Sequence, residues 1–344
     1  MELGISTFGE IPIEHISGNA VNAQQRISEL MKEAALADEV GLDVFALGEH
    51  HRPDYVVSAP EVVLAAIAAI TKRIKLSSAV TVLSSADPVR VFQNFATLDL
   101  ISQGRAEVMA GRGSFIESFP LFGYDLNDYD TLFAEKLELL MKINEGEMVS
   151  WQGRHRAPLA NAGIYPRPYQ QRLPIWLAVG GTPASVVRAG TLGLPLTIAI
   201  LGGAPSHFVQ LVQLYRDAAA RAGHDVGKLQ FALNQHTYIA DSSDQAADEF
   251  WPTYGKMMNR IGRERGWSPM SREQFEHMRS PHGSLLVGTA QEVADKIIRE
   301  YQMFKNTRFL AQTIAGDIPH EKLLHSIKLF GTKVARMVKE GIGN

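Results

Sequence analysis

Eight short apolar runs recur along this chain, each followed by a stretch of helical period, and that alternation narrows the fold more than any other feature. The runs are Glu2–Thr7, Asp43–Gly48, Ile74–Leu83, Arg105–Ala110, Pro174–Val179, Pro195–Leu201, Leu229–Ala240 and Arg308–Thr313. Several lack polar alternation, as expected of a parallel strand covered on both faces. Between them, Ile27, Leu30, Met31 and Ala34 form one helical stripe, and Phe133, Leu137, Leu140 and Met141 another. Leu323, Ile327, Phe330, Val334 and Met337 form the last. Spacings of three and four residues put each set on one helix face. Eight strand–helix units without a break in composition predict an α/β fold, a (β/α)8 TIM barrel, as a single domain over residues 1–344.

Local signals mark the helix ends. Asp87-Pro88 and Thr182-Pro183 each set a capping side chain before a proline at the first helical position, where a missing N–H costs nothing. Thr289 and Glu292 have capping-box spacing. Gly41 and Gly104 stand where left-handed helix ends favour glycine.

Two stretches exceed what a barrel needs. Residues 113–130, a long loop after the fourth strand, carry Phe115, Phe119, Phe122, Tyr124 and Tyr129. An insertion at 241–281, after the seventh, mixes Trp251, Tyr254, Trp267 and Phe275 with charge. Segments after barrel strands fall on the C-terminal face, where active sites sit. Each stretch is therefore expected either as a lid or pocket wall, or as surface decoration or a dimer contact.

Composition removes several function classes. Lys and Arg total 34 against 37 Asp and Glu, a net charge of −3, and the pI is near 6.4. A nucleic-acid binder held by phosphate contacts needs a basic face instead. With no cysteine, disulfides, iron–sulfur clusters, thiolate zinc sites and cysteine nucleophiles are excluded, and a reducing cytoplasm fits. Met1-Glu2-Leu3-Gly4 shows no basic region before an apolar stretch, so no secretory signal is expected. Ala189–Tyr215 lacks Asp, Glu, Lys and Arg, but glycines and prolines leave only Leu194–Leu201 continuous. That falls far short of the ~20 residues of a membrane span.

The residues that could carry chemistry cluster at strand ends. Glu49-His50-His51 follows the second run. Strand side chains alternate, so only one of the two histidines is expected in the barrel mouth, which weakens a metal site and leaves a proton donor or acceptor or a hydrogen-bonded rim histidine. Arg112, between Gly111 and Gly113, can approach a phosphate or carboxylate, or cap a helix end. Gly180-Gly181-Thr182-Pro183 lies between a strand and a helix start, which suits a phosphate. Gly202-Gly203-Ala204-Pro205 repeats the design one unit later. Plain tight turns are the alternative for both. The small residues of Ile74–Arg90 would let a flat ring lie against the third strand.

In this order, these segments resemble the bacterial luciferase-like, flavin-dependent monooxygenase superfamily. The matching text is ALGEHH (46–51), RIKLSSAVTVLSSADPVRVFQNFATLDLISQGRAEVMAGRG (73–113), PIWLAVGGTP (174–183), LLVGTAQEVADKI (285–297) and IPHEKLLHSIKLF (318–330). The resemblance implies a barrel that binds FMN, usually as a homodimer, and uses its reduced form with O2 to oxygenate a small organic substrate. A separate flavin reductase, associating transiently, would supply the reduced FMN. Carried over residue by residue, the family's catalytic histidine falls on His50, with Glu49 beside it. Its strand-three bulge, which has a non-proline cis peptide in several members, falls on Ala79-Val80. Its arginine falls on Arg112 and its phosphate loop on Gly180, Gly181 and Thr182; the repeated glycine loop adds Gly202 and Gly203 as further expected phosphate contacts. His236 is read as a buried structural histidine, with a place facing the ring as the alternative. Two other readings stay open: a deazaflavin-dependent hydride-transfer enzyme of the same superfamily, and a flavin-binding protein without catalysis. A Schiff-base barrel aldolase is disfavoured because no predicted strand ends in lysine.

Overall fold

The computed structural model describes residues 1–11, 20–113 and 115–343. Eight parallel strands form its centre: β1 (Glu2–Thr7), β2 (Val44–Leu47), β3 (Lys75–Ser78), β4 (Ala106–Gly111), β5 (Ile175–Val179), β6 (Leu196–Ala199), β7 (Phe231–Ile239) and β8 (Arg308–Gln312). Each pairs with the next in sequence, and β8 pairs with β1. The sheet is therefore closed, a (β/α)8 barrel, and every predicted run overlaps one of its strands. The third run is interrupted: β3 stops at Ser78, the Ala79–Val80 peptide is cis, and Thr81–Val82 resumes pairing against β4.

Helix ends follow the local chemistry with one exception. Asp87 caps helix Pro88–Ser102, accepting from the N–H groups of Val89 (2.9 Å) and Arg90 (3.1 Å). That helix ends on left-handed Gln103 and Gly104. The capping box of Thr289 and Glu292 is complete. Thr182, expected to cap helix Pro183–Thr191, makes no capping bond; its hydroxyl instead faces the Arg112 guanidinium.

Between strands and helices runs one large apolar core, and a smaller one fills the cylinder. The inner core contains Val44, Ala46, Met109, Trp176, Ala232 and Leu310. Below it, at the N-terminal ends of the strands, an ion network buried at Arg308 and Glu107 and half-exposed at Glu2 and Lys75 closes the barrel. Arg308 donates to Glu107 at 2.7 and 3.0 Å and to Glu2 at 2.7 Å, and lies 4.2 Å over the Trp176 ring. Lys75 completes the network against Glu2 at 2.6 Å. The opposite, C-terminal end opens into a cavity.

Three strands lie outside the predicted runs. Met148–Trp151 and Leu159–Gly163 form an antiparallel hairpin, and Leu286–Gly288 extends the sheet beside the long upper half of β7. Among the described residues, no helix is long and apolar enough to cross a membrane.

Candidate active site in the barrel mouth

The mouth holds a cavity of about 290 Å³, at the lower edge of the ~300–1,000 Å³ range of small-molecule sites. Ala79, Gly111, Ala178 and Ala199, at the C-terminal ends of β3 to β6, line one arc of its base. Side chains no larger than a methyl leave room there for a flat ring against the backbone. Glycine is required at 111, because a Cβ would come within 2.7 Å of Val80 Cγ2. The opposite arc is polar, with Asn234 on β7 and Gln312 on β8.

The upper wall is aromatic. His50 is buried at 8% exposure and lines the cavity. Its ring stacks on Tyr55 at 4.3 Å and 30°, and meets the edges of Phe8 at 4.7 Å and Phe115 at 5.2 Å. Burial first, then the charges of Arg52 and His51, depress its pKa to about 3. The site thus favours the neutral imidazole, with one N–H and one lone pair. Among the described residues nothing hydrogen-bonds the ring, so that capacity is free for a ligand.

Glu49 is committed elsewhere. One carboxylate oxygen meets His51 Nε2 at 2.9 Å, and the other accepts the Val82 N–H at 2.9 Å. It therefore ties the loop after β2 to the cavity wall beyond Ala79-Val80. His51 also lines the cavity, against expectation. Strand alternation does not reach it, because β2 ends at Leu47 and residues 49–51 lie in irregular chain. Among the described residues no cluster of three or more metal-ligating side chains occurs.

At the rim between β4 and β5, Arg112 pairs with Asp130 at 2.7 Å, donates to Thr182 Oγ1 at 3.4 Å and stacks on Tyr129 at 5.1 Å. Gly180 lines the cavity, and a Cβ there would meet nothing within 4 Å. Gly181 has φ +113°, a conformation that favours glycine. A guanidinium beside an open glycine turn and a helix start can hold an anionic tail. Gly181 and Thr182 stand just behind the lining. Gly202 and Gly203 are also outside it; their loop contributes Leu201 instead.

Both long segments act at this mouth. From 113–130, Phe115, Glu117, Ser118 and Tyr129 line the cavity. The insertion at 241–281 supplies no lining residue and instead braces the wall from outside. Its helix Ser243–Arg265 brings Glu264 onto Arg52 at 2.5 and 2.9 Å, Arg260 onto Asp54, and Arg265 to 5.8 Å from Phe115. His236 does not reach the cavity: it is buried edge-on to Tyr254 at 5.4 Å, and burial lowers its pKa to about 4. Phe8, Tyr55, Thr197, Asn234 and Gln312 were not singled out from sequence. Asn234 and Gln312 stand among other polar residues on their strands, so no local signal marks them.

Fold and cavity together define a closed α/β barrel with a small-molecule cavity at its C-terminal mouth. The luciferase-like monooxygenase family profile matches residues 1–305, and the chain belongs to that family of flavin-dependent monooxygenases and oxidoreductases. It is 26% identical over 328 residues to the N-acetyl-S-alkylcysteine monooxygenase of Bacillus subtilis, covering 91% of this chain and 95% of that one. Monooxygenase RslO1 from Streptomyces bottropensis superposes with a TM-score of 0.84 at 25% identity, covering 98% and 99% of the two chains. Two further structures share the fold at 19% identity. One is the oxygenating constituent of 3,6-diketocamphane monooxygenase from Pseudomonas putida in complex with FMN, at TM-score 0.78 with 98% of each chain covered. The other is an F420-dependent secondary alcohol dehydrogenase, at 0.73 with 98% of each covered.

Proposed function

We propose that this chain is the oxygenating component of a two-component FMN-dependent monooxygenase, acting on a small organic substrate with FMN reduced by a separate, transiently bound reductase. The observation that carries the reading is the arc of Ala79, Gly111, Ala178 and Ala199 facing a polar arc, with Arg112 and Gly180 at the rim beside it. A flat, dione-bearing ring with a phosphate tail fits that distribution of space and polarity.

FMN, when reduced, supplies the electrons that activate O2. The protein's own groups bind, orient and exclude water. Arg112 and the backbone at Gly180, Gly181 and Thr182 hold the phosphate. Phe8, His50 and Phe115 keep the ring face dry. His50, neutral, offers its N–H or its lone pair to the reacting face without carrying charge into it. Glu49 fixes the wall through the Val82 N–H rather than moving a proton.

The test begins with calorimetric titration of oxidised and reduced FMN, followed by rapid mixing of the reduced complex with O2. Binding of reduced FMN, with its reoxidation slowed relative to free FMN, supports the reading. NADH with FMN and O2 but no reductase should turn over negligibly. Brisk NADH oxidation without a partner, or hydride transfer from a reduced deazaflavin under argon with none of the oxygen chemistry, overturns it.

A further inference from the structure

Four strands in succession, β6, β7, β8 and β1, place Thr197, Asn234, Gln312 and Ser6 on the inner face of the barrel, and three of them form a directed chain. Ser6 Oγ and the Asn234 side-chain oxygen are 2.6 Å apart, and Asn234 Nδ2 donates to Gln312 Oε1 at 2.8 Å. The shorter contact decides which way the amides face. A separation of 2.6 Å is ordinary for O–H···O and short for N–H···O, whose modes are about 2.7–2.8 and 2.9–3.0 Å. Ser6 therefore meets the Asn234 oxygen, Asn234 turns its nitrogen to Gln312, and Gln312 has its oxygen used. What remains is Gln312 Nε2, a two-proton donor on a residue 2% exposed. It lines the cavity and has no acceptor among the described residues. Thr197, 1% exposed and in the same lining, has a buried hydroxyl with no partner there.

Of the two, the Thr197 hydroxyl is the buried one, and unpaired buried polar groups are uncommon because their desolvation is uncompensated, while Gln312 Nε2 opens onto the cavity. Both face the barrel-mouth cavity, Gln312 from the strand opposite Arg112 and Thr197 from the strand beside Ala178. We propose that Gln312 Nε2 donates a hydrogen bond to a carbonyl oxygen of the bound ligand, with Thr197 as a second polar contact. Asn234 and Ser6 are positioning residues that fix the amide's orientation. The acceptor is a carbonyl of the flavin dione or of an organic substrate held against it. This rests on the proposed flavin reading but assigns a different part of the molecule from the phosphate rim.

Infrared spectra of the FMN-loaded protein, together with the FMN dissociation constant, test it in wild type, Gln312→Glu and Gln312→Leu. Gln312→Glu keeps the size but turns the donor into an acceptor, and Gln312→Leu removes the polar group. If the flavin supplies the carbonyl, one dione C=O band moves to higher frequency in both variants, and FMN binding weakens about tenfold, as for one buried donor. If the substrate supplies it, the flavin bands stay fixed. In that case the carbonyl band of isotope-labelled cyclohexanone, added to the loaded protein as a probe, shifts upward in both variants. Asn234→Leu should reproduce a weaker form of whichever shift occurs, since it frees the Gln312 amide to rotate. A wild type that binds FMN, with both carbonyl signals unmoved in folded variants, overturns the assignment. A wild type that takes up no FMN overturns the flavin reading instead.

Discussion

The imidazole of His50 lies stacked on the Tyr55 ring, their centroids 4.3 Å apart and their planes 30° from parallel. The stack shields one ring face from water, while Phe8 and Phe115 close on it edgewise. Desolvation of this kind opposes protonation, and the nearby Arg52 charge adds to it.

A titration consequence follows. His50, at about 3, and His236, at about 4, both lie below the ~6.5 of a histidine in an unfolded chain. Between those values the unfolded state binds the proton and the folded state does not. Stability therefore falls as pH drops from about 6.5 toward 3, by up to ~1.4 kcal/mol per pH unit for each histidine. His50→Phe should flatten the acid side of a denaturation-versus-pH curve without changing its slope above pH 7. NMR of labelled histidine should show the His50 ring unprotonated at pH 5. A midpoint near 6.5 would contradict the burial argument.

How far the site could be read from sequence depends on which interactions were local. Strands, helix caps and the glycine turn at Gly180 were legible because alternation, capping and left-handed turns are decided within a few residues. The run Ile74–Leu83 shows no interruption in its own periodicity; the family resemblance alone places the bulge at Ala79-Val80, where the strand breaks after Ser78. Thr182 looked like a cap, yet the Arg112 guanidinium, 70 residues away in sequence, meets its hydroxyl. His51 was turned out of the mouth by an alternation rule that stops applying once β2 ends at Leu47. Gln312 carries no local signal, because its orientation is set by a chain of contacts to Asn234 and Ser6, residues far from it in sequence.

Arg112 should discriminate between flavins by their tails. Its guanidinium is held by Asp130 and Thr182 at the rim, beside a glycine turn with open space above it. Removing a charge-assisted contact of this type costs about 1.5–3 kcal/mol. Arg112→Ala is expected to weaken FMN binding roughly 10- to 100-fold while leaving riboflavin, which has no phosphate, within about twofold. Calorimetry with the two ligands checks this. Equal losses for both would place Arg112 near the ring and away from the tail.

At the other end of the barrel, the Arg308–Glu107 pair should matter to stability and not to the ligand. Arg308 is 1% exposed and stacks on Trp176. Glu107→Gln would leave it with a weaker partner inside the cylinder, and breaking a buried pair from one side costs about 3–5 kcal/mol. The expected result is a markedly lower guanidinium midpoint, with FMN affinity little changed in the protein that remains folded. Replacing both members, Glu107→Leu with Arg308→Leu, should recover part of the loss, since no charge is then stranded. A single substitution costing less than about 1 kcal/mol would show that Glu2 alone suffices as a partner for Arg308.

Two glycines that look alike in sequence should behave oppositely. At Gly111, a methyl group would stand 2.7 Å from one Val80 Cγ and 3.0 Å from the other, as well as from its Cβ. Valine has no rotamer that withdraws both branches, so the wall at Ala79-Val80 must shift. Gly111→Ala should therefore lower stability by about 1–3 kcal/mol and disturb FMN and riboflavin binding alike. At Gly180 the same methyl meets nothing within 4 Å. Gly180→Ala should change stability by less than about 0.5 kcal/mol, yet its methyl would project into the space assigned to the phosphate. Weakened FMN binding with riboflavin binding preserved is the expected signature. If Gly180→Ala bound both flavins as the wild type does, the phosphate would have to be held elsewhere on the rim.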